Sequence, residues 1–328
     1  MKIAIIGIGK MGLNHAKTIE KHSECELVGF LDLSQKAIDE ALKLYPDKIQ
    51  FKSVDQISTM CDAVIISVPT SIHGEYLAQC VMANINVLCE KASVSSLDDY
   101  HYVSQLIESL KYNKVINIGH VERFNPAVES FKKLHIDDKN MYAKFYRFSN
   151  TKRNEDVSCI YDTMVHDIDL ALYLFPNLGE LKRTYIKNIK ENEDYTYAVN
   201  CGCVFENGTI FFKVNKRSEQ QKRELFYTNG LNDYRFFLDE KNYTHNNKFN
   251  ICEPSEKDQL TKQLDAFLDA CNGKENKGVS FIENKKVIEI ANSIEVEIEI
   301  CYKFLESSEY IANTENINFY NSLNNDNA

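Results

Sequence analysis

The sequence predicts an α/β protein with a doubly wound parallel sheet in its first part and a mostly antiparallel open sheet in its second. Three observations predict it. A glycine-rich turn joins a strand to a helix at residues 7–12, strands and helices then alternate to about residue 118, and strand runs joined by tight turns follow from Leu181. A chain of 328 residues is too long for one ordinary core. Two domains are expected, at 1–120 and 121–311, followed by an Asn-rich tail at 312–328 that is short of hydrophobes.

Lys2 to Ile6 is an apolar strand that runs into Gly7-Ile8-Gly9-Lys10-Met11-Gly12, and Leu13, Ala16 and Ile19 keep helical spacing after it. Glycines at such a turn permit a tight bend and close approach of a pyrophosphate. The helix N-terminus supplies N–H donors and a positive dipole end. Gly7, Gly9, Lys10, Met11 and Gly12 are therefore candidate cofactor contacts. A second strand, Glu26 to Leu31, ends in Asp32, whose carboxylate can accept from both adenosine ribose hydroxyls and repels a 2′-phosphate. The expected cofactor is NAD, on a Rossmann domain.

The alternation continues through strand Ala63 to Val68, helix His73 to Ala83, strand Asn86 to Cys89, helix Leu97 to Lys111 and strand Lys114 to Ile118. In such sheets the cofactor lies at the carboxyl edge of the strands. Pro69, Thr70, His73, Glu90 and Lys91 fall at that edge and join the cofactor set.

With 48 acidic and 38 basic residues, the net charge of −10 argues against a nucleic-acid surface. An anionic substrate then needs a local cluster of donors. No apolar run is long enough for a membrane span, and the first residues are strand-like rather than a signal peptide. Ten cysteines lack metal-type spacing, apart from Cys201-x-Cys203, which fits buried positions on one strand face. Free thiols in this number suit a reducing cytoplasm.

In the second part, Asp162-Thr163-Met164-Val165-His166 sets a carboxylate and an imidazole four residues apart, on one face of an expected helix. Such a pair can bind a metal, with His120, Asp167 or Asp169 as further ligands, or act as an acid/base pair; it can also be the polar end of a helix. Asn125 to Leu134 reads as a helix with Pro126 at its start, so Asn125 is either its N-cap or a substrate contact. Arg123 suits a diphosphate, because its planar fork bonds such oxygens in pairs.

Tyr197 to Phe205, Thr209 to Asn215 and Lys222 to Thr228 are strand runs, with turns at Glu206-Asn207-Gly208 and Thr228-Asn229-Gly230. Glu256 to Cys271 is an amphipathic helix ending at Asn272-Gly273. Val287, Ala291, Ile294, Ile298 and Cys301 keep helical spacing, while Ile294, Val296, Ile298 and Ile300 fit a strand.

Gly7-x-Gly9-x-x-Gly12, Glu90-Lys91 and Asp162-x-x-x-His166, in that order, resemble the glucose–fructose oxidoreductase/inositol dehydrogenase (Gfo/Idh/MocA) family over nearly the whole chain. The resemblance implies an N-terminal Rossmann domain, a C-terminal α/β domain on a large sheet, and nicotinamide-dependent chemistry on a sugar carbon. Gly119-His120-Val121-Glu122-Arg123-Phe124-Asn125-Pro126-Ala127-Val128, with Asp156-Val157 and His166-Asp167-Ile168-Asp169, looks like the UDP-N-acetylglucosamine 3-dehydrogenase branch. That branch makes a 3-keto UDP-sugar for diamino-sugar synthesis in lipid A or surface glycans. Sheet faces in the family often pack into oligomers, so a homodimer or homotetramer through the C-terminal sheet is implied. Two departures stand out. Ala92 replaces the proline that usually follows Glu-Lys, often after a cis bond, and Tyr161 stands where small or apolar residues are usual, so it narrows the expected substrate pocket.

Oxidising a secondary alcohol needs a hydride acceptor and a base. The expected base is His166, with an unperturbed pKa of about 6.5, and Lys91 stabilises the developing alkoxide. Lys91 as base is the alternative if burial lowers its pKa. Asp162 orients His166 and binds sugar hydroxyls, and Arg123, Asn125 and Tyr161 complete the substrate set. No metal is required. An inositol or free-sugar dehydrogenase and a non-catalytic NAD-binding regulator are the competing readings.

Overall fold

The computed structural model describes residues 1–134, 141–150, 156–191 and 195–306; the expected tail at 312–328 lies outside them. The chain forms two compact units, Met1–Phe124 with Ser255–Ile288, and Asn125–Pro254 with Glu289–Ala328.

The first unit begins β1 (Lys2–Ile6), α1 (Lys10–Glu20), β2 (Glu26–Leu31), α2 (Gln35–Leu44), β3 (Ile49–Gln50), α3 (Val54–Met60) and β4 (Ala63–Ile66). It continues α4 (His73–Met82), β5 (Asn86–Glu90), α5 (Leu97–Ser109) and β6 (Ile116–Gly119). Strands β1, β4 and β5 are almost wholly buried runs of Ile, Val, Leu and Ala, as a sheet covered on both faces requires. Ser34, Ser53 and Ser96 start α2, α3 and α5 by accepting the N–H of the third residue on.

In the second unit α6 (Pro126–Lys133) and β7 (Met141–Asn150) come first. A π-helical turn at Ile160–Met164 leads directly into α7 (Val165–Leu174). Strands β8 (Leu181–Glu191), β9 (Thr196–Phe205), β10 (Gly208–Asn215), β11 (Arg217–Thr228), β12 (Asp233–Phe237), β13 (Asn242–His245) and β14 (Lys248–Ile251) follow. They form one eight-stranded sheet in the order β14-β13-β12-β11-β7-β10-β9-β8. Its pairings are antiparallel except for β7 with β10. The two hairpin turns fall where the sequence puts them. Cys201 and Cys203 of β9 are fully buried, and burial pushes the Cys203 thiol up to about 12, in keeping with small core residues.

The chain then returns to the first unit with α8 (Gln259–Cys271) and β15 (Val279–Ser280), before α9 (Lys285–Glu306). The first sheet has the order β15-β6-β5-β4-β1-β2-β3, parallel except for β15, which is the strand order of a dinucleotide-binding Rossmann sheet. Residues 285–306 are thus helical, and the competing strand does not form. The sequence-based boundaries also need correction, because 255–288 belongs with the first unit rather than the second. Leu264, Phe267 and Leu268 of α8 join Ile3, Ile5, Ala16 and Leu27 in one buried cluster. An amphipathic pattern announces a buried face without saying which sheet receives it. No helix among the described residues is long and apolar enough to cross a membrane.

Because Phe267 is fully buried in that cluster, Phe267→Ala should destabilise the first unit by about 3–5 kcal/mol. Urea unfolding followed by circular dichroism measures it, and a loss below about 1 kcal/mol would remove α8 from the core.

Candidate active site

In the first unit the candidate residues gather at the carboxyl edge of the sheet. Gly7 has φ +87°, and a Cβ there would stand 2.6 Å from Val68 N. A Cβ on Gly12 would meet Gly7 O at 2.1 Å, so both glycines are imposed by close backbone packing. Gly9 differs: a Cβ there meets nothing within 4 Å. It opens α1 without a side-chain cap, leaving the first-turn N–H groups of Lys10 and Met11 to an anion. Asp32, at the end of β2, reaches back to this loop. Its Oδ2 accepts from Ile8 N and its Oδ1 from Ser34 N, each at 2.7 Å. Bare glycine, open helix end and adjoining carboxylate fit the pyrophosphate and ribose of NAD.

Glu90, the last residue of β5, is buried, and its Oε1 is 2.8 Å from His15 Nε2 on α1. Burial pushes its carboxyl up. The hydrogen bond from His15 and the neighbouring positive charges outweigh burial and hold it below its ordinary value. The pair ties the strand that leads into Lys91 to the helix that Gly9 precedes. His73 is buried as well, with one ring nitrogen 2.5 Å from Ala92 O and the other 2.9 Å from Val68 O. Burial is the largest influence on it and lowers its pKa.

Glu90 and His73, expected as cofactor contacts, thus shape the backbone at the cofactor edge. Thr70 is buried in the short turn after exposed Pro69. Lys91 is half-buried, and the Lys91–Ala92 peptide is cis without proline. Ser93 is held in turn by Asn284 Nδ2 at 2.7 Å, and Asn284 Oδ1 lies 2.7 Å from His120 Nε2. Arg123 is half-buried in a 3₁₀ turn at Val121–Phe124.

In the second unit the expected single α-helix through Asp162 and His166 is corrected by the π-helical turn. Val165 N–H reaches back five residues to Ile160 O. Residues five apart on an α-helix point about 140° apart, and the wider turn reduces that angle. Both Asp162 and Asp167 consequently meet cations. Lys216 Nζ lies 2.6 Å from Asp162 Oδ2. Arg147 of β7 donates to Asp167 Oδ1 from Nε at 3.0 Å and from Nη2 at 2.7 Å. His166, half-buried in the first turn of α7, lies between these two anchored carboxylates in the chain. Tyr161, the residue before Asp162, is buried. Asn125 takes the capping role: its Oδ1 accepts from Ala127 N, and its Nδ2 donates to Leu238 O at 3.1 Å.

The sequence reading misses His15, Arg147 and Lys216, yet each carried a signal. His15 shares the buried face of α1 with Gly12, Ala16 and Ile19. Arg147 follows Ala143 and Phe145 on the buried face of β7, and Lys216 continues the register of Ile210, Phe212 and Val214. A charge placed in a core register asks for a buried partner.

Residues 1–118 match the Gfo/Idh/MocA model, described as "Oxidoreductase family, NAD-binding Rossmann fold". The glucose-6-phosphate 3-dehydrogenase of Bacillus subtilis (strain 168) is 27% identical over 214 residues, covering 59% of this chain and 60% of that protein. The UDP-N-acetylglucosamine 3-dehydrogenase of Acidithiobacillus ferrooxidans is 30% identical over 176 residues, covering 53% and 54%. The matched segments thus span little more than half of these relatives. The solved structure of the latter enzyme, GnnA, superposes with a TM-score of 0.80 at 20% identity, covering 90% of this chain and 97% of that one.

A carboxylate whose pKa is depressed by folding stabilises the fold fully above its unfolded pKa, about 4.3 for Glu, and loses that contribution as pH falls through the lower folded value. Wild type should therefore lose stability below about pH 4.3 more steeply than Glu90→Gln. Acid titration of urea midpoints checks this, and parallel acid limbs would contradict it.

Proposed function

Since residues 1–118 are an NAD-binding Rossmann domain of the Gfo/Idh/MocA oxidoreductase family, we propose that the chain oxidises a secondary hydroxyl of a sugar to a ketone. The proposed substrate is the 3-hydroxyl of UDP-N-acetylglucosamine, and the product is the 3-keto UDP-sugar. The observation that carries the reading is the pairing, in one chain, of the bare Gly9 loop with a half-buried His166 between two anchored carboxylates. The two curated relatives named above support the choice of position, since both are 3-dehydrogenases of sugar derivatives.

Nicotinamide, when bound at the glycine loop, supplies the hydride acceptor. Asp32 accepts the ribose hydroxyls, and the N–H groups of the first turn of α1 hold the pyrophosphate. His166 takes the proton of the reacting hydroxyl, because imidazole titrates near neutrality. Lys91 donates to the oxygen as its negative charge develops. Asp162 accepts from the sugar hydroxyls, and Arg123 bonds the diphosphate.

UDP-N-acetylglucosamine with NAD should raise absorbance at the NADH band, in the presence of an aminotransferase that removes the ketone. Lys91→Met and His166→Asn should each lower turnover by about 100-fold with NAD affinity unchanged. Full activity in either variant would remove that residue from the chemistry. Turnover of an inositol but not of the nucleotide sugar would replace the substrate. Asp32→Ala should narrow the preference for NAD over NADP, and an unchanged ratio would refute the ribose contact.

A further inference from the structure

Lys216 follows β10, and its side chain is fully buried. A lysine with no access to water must be answered by an anion, since desolvating an ammonium alone is prohibitive. The fold answers it with Asp162, which is 8% exposed, at 2.6 Å. Thr163 Oγ1 donates to the same Oδ2 at 3.3 Å, and Lys216 Nζ stands 5.3 Å from the centre of the Tyr195 ring. Cys159 lies within the charge influence of Lys216, Asp162 and Glu295 of α9. Glu295 is hydrogen-bonded by Ser158, just before the turn.

We propose that Lys216 is the positioning residue for Asp162. It keeps the group a carboxylate and fixes Oδ2 against the sheet side, so Asp162 receives substrate hydroxyls and leaves the proton to His166. A carboxylate already neutralised by an ammonium is a poor base, whereas it remains a good hydrogen-bond acceptor. This rests on the function proposed above and names a residue that neither the glycine motif nor the Asp–His spacing contains.

The test compares wild type, Lys216→Met, Lys216→Arg, Asp162→Asn and the double variant Asp162→Asn/Lys216→Met on the sugar that wild type oxidises. A carbon-13 NMR titration of the Asp162 carboxyl, identified by its loss in Asp162→Asn, runs alongside. Lys216→Met should lose about 100-fold in kcat/KM with NAD affinity unchanged, and Lys216→Arg should recover about 10-fold of that. The double variant should match Asp162→Asn within about 3-fold, because the two residues act as a unit. The Asp162 carboxyl should titrate higher in Lys216→Met than in wild type, because the neighbouring ammonium is gone.

Wild-type kinetics in Lys216→Met, or an unmoved carboxyl titration, overturns the proposal. If Lys216→Met does not fold, the double variant, which leaves no lone charge, decides in its place: a further 100-fold loss relative to Asp162→Asn overturns the pairing. If wild type oxidises no sugar alcohol, the proposed function fails, and the carboxyl titration still decides the role of Lys216.

Discussion

Charges taken out of water must be answered by opposite charges, and in this chain that constraint sits where the chemistry is expected. His15 answers Glu90 in the first unit, while Arg147 answers Asp167 and Lys216 answers Asp162 in the second. Removing one member of a buried pair costs far more than the pair contributes over an apolar substitute. Such pairs are therefore poor devices for stability and good ones for geometry, because few arrangements satisfy them. The Glu90 pair fixes the end of β5 against α1. The Asp162 and Asp167 pairs fix the π-helical turn and the start of α7, which carries His166. Around these anchors each unit packs a large set of buried apolar side chains.

The first unit was legible because each of its signals is local. A glycine needed for close packing and a strand of consecutive Ile and Val each announce themselves within a few residues. The order of the parallel strands follows from handed crossovers. What escaped was non-local. α8 looks like any amphipathic helix, and nothing in its own residues says that Phe267 completes a core begun at Ile3. The strand register of β7 was likewise unread, although Ala143, Phe145 and Arg147 alternate onto one face.

The candidate site was legible in its residue types and less so in its contacts. Spacing alone suggests that Asp162 and His166 share a helical face. The π-helical turn changes that geometry, since one additional residue in a turn rotates everything before it relative to everything after. Such a turn has no strong sequence signature, because its cost is met by contacts elsewhere in the fold. Here those contacts are the two buried cations. Asn125 shows the opposite case: two readings were open, and the buried bonds of its amide to Ala127 and Leu238 select the cap.

These anchors separate the roles that a pair of titratable residues can take. Two such groups on one turn compete for the same proton unless their surroundings push them apart. Asp162 is placed against an ammonium that favours its charged form, and His166 is half-buried on α7. The paired carboxylate is left to accept hydrogen bonds, and in the proposed reaction the imidazole takes the proton of the alcohol. A metal at Asp162 and Asp167 would have to share their carboxylates with Lys216 and Arg147, whose charges already answer them. The buried cations thus argue for acid–base work at this turn on the same physical ground that fixes its shape.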